Sequence, residues 1–275
     1  MTSPLFRPSL LASAAGVAYA CMVLAAPGAS AAELTVNYIL GDKLEAAVGA
    51  GVRVAPSYKG SRDTTATLVP VLYAQRGIFF IDSSRGIGLQ LLSDSGFYLS
   101  QSIYYDQGRG VKSGASRPGA RDLAGMGEVP GSATWHTLVA QQITPALSIS
   151  AEADVTQKSG VDRQNLRVGA EWNVIDAGND RVALGANTHW GNADYNQAYF
   201  GVTATQAANT RFGRYTARGG LYAYSVSAQW EHKLSDHWYS SVQLTATPYV
   251  GRAKDSPLMA RKTPLEAMMT IRYVY

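Results

Sequence analysis

Leu265-Glu266-Ala267-Met268-Met269-Thr270-Ile271-Arg272-Tyr273-Val274-Tyr275 closes the chain. Its odd positions are apolar or aromatic. Its even positions carry Glu266, Thr270 and Arg272, with Met268 and Val274 between them. Side chains alternate across a strand, so one face is greasy and the other can be wet. Such a strand suits the last stave of an outer-membrane barrel. There Tyr273 and Tyr275 sit at the lipid boundary and act as the C-terminal barrel-assembly signal. An ordinary edge strand that ends in Tyr fits the same residues, so the decision rests on the other strands.

Working outward, the same alternation recurs. Val48, Ala50, Val52 and Val54 oppose Gly49, Gly51 and Arg53. Leu147, Ile149, Ala151, Ala153 and Val155 oppose Ser148, Ser150, Glu152, Asp154 and Thr156. Leu166, Val168, Ala170, Trp172 and Val174 oppose Arg167, Gly169, Glu171 and Asn173. Tyr222, Tyr224, Val226, Ala228 and Trp230 oppose Ser225, Ser227, Gln229 and Glu231. Val69, Val71 and Tyr73 share one face of a strand over 65–74, and the faces of 132–143 stay unassigned. About twelve strands result, with ten as the alternative count; both are even, as bacterial barrels require. Connections sort by length. Short turns fall near 75–77, 93–95, 144–145, 176–180 and 234–236. Long loops fall near 107–131, 192–218 and 251–263, with Ser83-Ser84 as a tight exception. Short periplasmic turns with longer external loops are the expected asymmetry. The predicted fold is therefore all-β, an antiparallel transmembrane β-barrel. A soluble lipocalin-like barrel, with the same alternation turned inside out, is the rival.

The 275 residues include 16% charged side chains, 27 glycines and 16 tyrosines. That composition is neither disordered nor bundle-like. Residues 1–31 read as a cleaved secretory signal: Arg7, an apolar run from Leu10 to Leu24, and Ala29-Ser30-Ala31 as the cleavage site. The barrel domain is then 32–275. An uncleaved anchor and lipidation at Cys21 are the alternatives. Cys21 is the only cysteine, so cleavage after Ala31 leaves no disulfide or thiolate chemistry. Cleavage removes one basic residue and no acid, which lowers the net charge from +4 to +3. No basic run points to nucleic acid.

Charge follows the polar phase. Arg53, Glu152, Asp154, Arg167, Glu171, Arg181, Glu231, Glu266 and Arg272 all fall there, as an expected lumenal charge network that fills the barrel or lines a narrow pore. A basic residue facing lipid at mid-bilayer costs ~2–4 kcal/mol, so this phasing supports a membrane barrel. Tyr73, Trp172, Trp190, Tyr222, Trp230, Trp238 and Tyr273 lie near strand ends, as interfacial girdles do.

Catalytic and ligand motifs are sparse. His136, His189, His232 and His237 lack metal spacing. His189 with a nearby Ser suits interior hydrogen bonding better than a catalytic base, and no G-x-S-x-G element occurs. Glu152, Asp154 and Glu171 are interleaved with arginines, which favours ion pairs over acid catalysis. Gly49, Gly51, Gly169 and Gly185 read as packing room, and Asp255-Ser256-Pro257 as a loop turn. No enzyme activity, cofactor or metal is expected.

Between these strands lie Pro56-Ser57-Tyr58-Lys59-Gly60-Ser61, Gly108-Arg109, Leu123-Ala124-Gly125-Met126-Gly127, Tyr199-Phe200-Gly201-Val202-Thr203 and Asp255-Ser256-Pro257-Leu258. In that order they resemble the MipA/OmpV family of outer-membrane proteins, the MltA-interacting proteins, over roughly Leu44–Tyr275. The chain departs in Tyr275, where the family commonly has Phe, and in Met126, where Leu is usual. The resemblance implies the cell outer membrane, lipid as surroundings, and a scaffold that joins a murein hydrolase to a murein synthase. Other members are described as adhesins or antibiotic-response proteins. A small-solute channel through a charged lumen is the second reading of function, and a membrane-embedded hydrolase the third.

Overall fold

A computed structural model describes residues 41, 43–112, 114, 117–156, 158 and 161–275. The signal-peptide reading and its cleavage site fall outside these residues. Twelve antiparallel strands close into one barrel. They are β1 (Leu44–Pro56), β2 (Thr64–Arg76), β3 (Phe79–Asp82), β4 (Gly86–Leu92), β5 (Phe97–Asp106), β6 (Ser132–Gln142), β7 (Leu147–Thr156), β8 (Gln164–Ala177), β9 (Asp180–Gly191), β10 (Gly220–Lys233), β11 (Trp238–Ala246) and β12 (Leu265–Val274). β12 pairs with β1, so the stretch that opened the sequence reading closes the ring.

The outer face is apolar. Val52, Leu68, Ile81, Leu89, Val226, Leu244 and Met269 are among many exposed aliphatic residues there. Exposed Tyr105, Trp135 and Tyr224 lie toward the long-loop end; Phe79, Phe97, Trp172, Trp230 and Trp238 lie toward the short-turn end. These two aromatic levels frame the lipid band. No helix among the described residues is long and apolar enough to cross a membrane, so strands do the crossing.

Two expected girdle residues point inward instead. Tyr73 donates to Gln75 Oε1 (2.5 Å) and accepts from Gln90 Nε2 (3.1 Å). Tyr222 is 4% exposed. A register shift between Leu221 and Ala223 breaks the two-residue period and turns Tyr222 inward, out of phase with Tyr224 and Val226. The unassigned strand resolves into Trp135 outward and Thr134 and His136 inward.

Five connections lie at one end, 57–63, 107–131, 157–163, 192–219 and 247–264; a sixth, 83–85, turns the same way but stops within the wall, beside Leu72. Five short turns and the chain's last residue lie at the other. The long connections carry three short helices, α1 (Ala193–Phe200), α2 (Ala204–Ala208) and α3 (Gly251–Lys254). Asn192 caps α1 by accepting from Tyr195 N–H (2.8 Å). Thr203 and Gln206 form a reciprocal capping box on α2.

Candidate functional site

The apolar core of this protein sits in its loops. One buried cluster unites Tyr58 from loop 57–63, Ala120, Leu123 and Met126 from 107–131, Val202 and Phe212 from 192–219, and Leu258 from 247–264. The first three loops leave the ring at β1–β2, β5–β6 and β9–β10, each four strands from the next in a ring of twelve. Segments that start a third of the circumference apart meet only by crossing the axis. The cluster is therefore a cap over the outer mouth.

A second cluster lies beneath it. Tyr195, Tyr199 and Phe200 of α1 pack with Val129, Tyr222, Tyr249, Ala253 and Met259. Phe200 is fully buried, with ring centroids 5.4 Å from Tyr222 and 5.6 Å from Tyr249. Polar contacts lock the loops to one another. Gly119 N–H donates to Ser57 O (2.6 Å), Ala260 N–H to Gly60 O (2.9 Å), Gln206 Nε2 to Met126 O (2.6 Å) and Ser256 Oγ to Phe200 O (2.6 Å). Gly60 has φ +92°, and a Cβ there would lie 2.5 Å from Met259 Sδ. The Asp255-Ser256-Pro257 turn thus serves as a latch for α1, a role its turn chemistry did not reveal.

Lys59 hangs from the cap into the barrel. Its ammonium donates to Tyr195 Oη and lies 4.8 Å and 4.6 Å from the ring centroids of Tyr195 and Tyr199. Such a cage stabilises a cation through the ring quadrupoles. Burial nonetheless pulls the Lys59 pKa down to about 8, with Asp106 and Asp154 pulling the other way and Arg53 adding to the depression. Tyr195 and Tyr199 are raised by burial. Arg109 is 3% exposed, and its Nε and Nη1 meet no protein acceptor among the described residues. Burial lowers its pKa, against the opposing influence of Tyr199 and Tyr58.

The nine expected lumenal charges lie on the strands below. Arg53 holds Glu266 with two bonds, Nε to Oε1 (2.6 Å) and Nη2 to Oε2 (2.8 Å). Arg167 pairs with Glu152, its direct neighbour in register. Arg272 Nη2 donates to Glu231 Oε2 (2.6 Å). Asp154 pairs with His136 Nδ1 (2.9 Å) and accepts from Tyr104 Oη (2.7 Å). Arg181 donates to Asn173 Oδ1 (3.1 Å) and stands opposite Glu231 in register. Glu171, half-buried, faces Ser148 and Gly185 in register. In each pair the two partners offset one another's desolvation. The sequence placed Glu152 and Arg167 on the polar phase without naming them partners; the Asp154–His136 pair and Lys59 were not foreseen. A second inward group, Arg85, bonds Asp82 (3.3 Å) and Tyr98 Oη (2.9 Å). His189 Nε2 lies 2.9 Å from Ser225 Oγ, the interior hydrogen bond expected of it. Cβ atoms at Gly169 and Gly185 would strike Asn187 and Ser227, so these glycines make room for inward side chains. No group of three or more His, Cys, Asp or Glu able to hold a metal occurs among the described residues.

At the short-turn rim, Tyr273 lies 5.2 Å from His237, 5.3 Å from Trp238 and 4.8 Å from Tyr275, measured between ring centroids. Tyr275 N–H donates to Ala46 O (2.9 Å), which ties the last residue to β1.

Comparison with known proteins gives one family. The model of the family described as MltA-interacting protein MipA matches residues 48–275. No curated protein matches the chain. Among solved structures, an outer membrane channel from Pseudomonas putida F1 is similar at TM-score 0.44 and 10% identity, covering 86% of this chain and 98% of that one. OmpT, an outer membrane protein of Vibrio cholerae, gives 0.36 and 8%, over 85% and 97%. An anion-selective porin from Comamonas acidovorans gives 0.32 and 10%, over 85% and 99%.

Proposed function

The chain belongs to the MltA-interacting protein MipA family, and from that premise we propose that this outer-membrane barrel is closed along its axis and works as a non-enzymatic scaffold. One observation carries the reading: loops from three thirds of the ring meet in a single buried cluster over the mouth. A pore for free passage has no use for a packed core across its entrance. The paired charges below it fill the lumen in the same spirit, with each pair lowering the cost of desolvating its members.

The family's description supplies the class of partner, a murein enzyme. Murein lies on the periplasmic side, so the partner's seat is the short-turn rim. Glu45, Asp94, Asp176 and Asp236 are exposed there, against Lys43, Arg76 and Lys233, the last paired with Asp236 (2.8 Å). That excess of acid suits a basic partner surface and favours fast association at low salt.

The test uses purified components. The barrel, immobilised in detergent, retains a purified lytic murein transglycosylase or a murein synthase, and replacing the four rim acids with amides weakens retention. In planar bilayers the wild-type barrel passes no steady current. Steady conductance, altered by Arg167→Ala or Glu171→Ala, would overturn the scaffold in favour of a small-solute channel. The channel is the second reading because the Arg53 side chain keeps 44% of its surface exposed although it is paired with Glu266, which leaves part of the lumen wet.

A further inference from the structure

We propose that the barrel wall carries a lateral slot between β2 and β5, and that this slot seats the acyl chains of outer-leaflet amphiphiles. β3 stops at Asp82, opposite Tyr73, and β4 starts at Gly86, beside Ile103 and Tyr104 of β5. β2 continues outward for nine more residues, Thr64–Leu72, with no strand paired to it on that side among the described residues; Ser83 alone reaches its first part, where its Oγ donates to Pro70 O (2.9 Å). β5 continues through Tyr105 and Asp106. The gap equals three strand spacings, roughly 14 Å. Its floor is the Ser83–Arg85 turn. Its roof is Gly119, in the connection that follows β5, whose N–H meets Ser57 O beside the outer end of β1 at 2.6 Å.

The slot lies at the level of lipid. On β2 the outward Leu72 and Leu68 are exposed apolar residues, and on β5 the slot begins beyond Ile103, next to Tyr105 of the outer aromatic level. Leu68, Val52 and Met269 are exposed, and Leu68 at 81% is the most exposed large apolar residue described. An open sheet edge at this depth is otherwise disfavoured, since lipid satisfies no backbone group.

The orientation of that edge follows from two bonds. Ser83 N–H donates to Leu72 O (2.9 Å), and Leu72 N–H donates to Ser83 Oγ (3.2 Å). Leu72 therefore turns its backbone groups toward the slot. By the two-residue period so do Pro70, Leu68 and Ala66.

Sequence chemistry distinguishes the occupants. Leu68-Val69-Pro70-Val71-Leu72 is apolar on both phases, unlike the strands whose inner phase carries charge. The inward Val69 and Val71 thus extend an apolar surface through the wall beside the open edge. A peptide strand is the rival occupant, because a free edge invites one. Pro70 argues against it, since proline has no N–H to give at the middle of the ladder. An acyl chain needs no ladder. Its ester or amide groups, at the slot's outer part, reach the backbone groups of Ala66 and Leu68.

The experiment places a photoreactive p-benzoylphenylalanine at Val69 in the full barrel, reconstituted in phosphatidylethanolamine–phosphatidylglycerol vesicles. Two controls carry it at Leu68, which faces lipid, and at Asn187, which faces inward from β9, five strands from β2 in the ring. Lipid adducts at Val69 should approach those at Leu68 and exceed those at Asn187 several-fold. Adducts at Val69 no more frequent than at Asn187, or adducts to protein in place of lipid, overturn the proposal. Should the bulky residue block folding, a nitroxide on Val69→Cys in a Cys21→Ser chain reports the same contact. Oxygen collision rates like those of a lipid-facing label support the slot, and rates like those of an Asn187→Cys label refute it.

Discussion

Phe200→Ala should loosen the cap while leaving the barrel intact. Phe200 is wholly buried, with its ring tilted against Tyr222 and edge-on to Tyr249. Its carbonyl also accepts the Ser256 latch, but that bond involves the backbone and survives the substitution. Truncating a buried Phe costs about 3–5 kcal/mol, of which the two aromatic contacts supply about 0.5–1.5 kcal/mol each. All of that loss falls on contacts within loops and the top of β10. The strand ladder, which α1 touches only at its upper ends, keeps its bonds. At about 1.4 kcal/mol per factor of ten, the open cap should become roughly 100- to 4,000-fold more populated. The assay is nicking of loops 192–219 and 247–264 by added protease, with the barrel in sealed vesicles. Nicking tracks the open population when reclosing is fast. Phe79→Ala is the control, because Phe79 is 48% exposed to lipid. Nicking unchanged by Phe200→Ala, or loss of the whole barrel's slow gel mobility along with the cap, would refute the claim that cap and wall are separable.

Three further outcomes follow from the same geometry. Lys59 has a folded pKa of about 8, below its ordinary value, so an open cap binds more protons than a closed one between pH 8 and 10.5. Cap protection should therefore rise with pH across that window, by at most about 3 kcal/mol, since partial exposure of Lys59 screens the charge; Lys59→Met should abolish the slope of nicking against pH. Arg167→Ala should cost the wall about 3–5 kcal/mol by stranding Glu152, whereas Arg167→Met with Glu152→Leu should recover most of it, as read by urea midpoints in lipid vesicles. Tyr275→Ala removes the exposed aromatic that closes the Tyr273–Trp238 cluster, so heat-modifiable barrel should accumulate more slowly in cells while purified, folded protein keeps its thermal stability.

Most of the wall was legible because its chemistry repeats every two residues and lipid enforces the pattern. Glu152 and Arg167, or Val48 and Val52, announce their faces without knowledge of any neighbour. The misses fall where a local rule yields to geometry. Tyr222 changed sides because a bulge inserts half a period, which nothing in Leu221-Tyr222-Ala223 declares. Tyr73 reads as a girdle aromatic, yet its hydroxyl bonds Gln75, two residues on in the same strand, and Gln90 once β4 is in place. The cap was the largest omission. Tyr199, Phe200, Val202 and Leu258 sit in long loops, and loops are ordinarily solvated. Their apolar character was itself the signal, since four large apolar side chains in external loops need a partner to hide against. What the sequence withheld was which loops meet, and that depends on ring closure over two hundred residues.

The location of the core follows from the solvent on each side of it. Between strands in a bilayer no hydrophobic gain exists, because lipid is as apolar as a leucine side chain. The wall is therefore held by its ladder and by inward ion pairs, and its aliphatic side chains stay exposed. Outside the bilayer water returns, and apolar burial again drives association. The buried clusters accordingly gather above the strands, where Tyr222 and Ala223 of β10 are the only strand residues in either of them. Lys59 links the two regimes: it belongs to the cap by chain connectivity and to the lumen by its electrostatics with Asp106 and Asp154. A cap stabilised by water and a wall stabilised by lipid respond to different perturbations, so a partner can grip one rim or an amphiphile enter the slot without unmaking the other part.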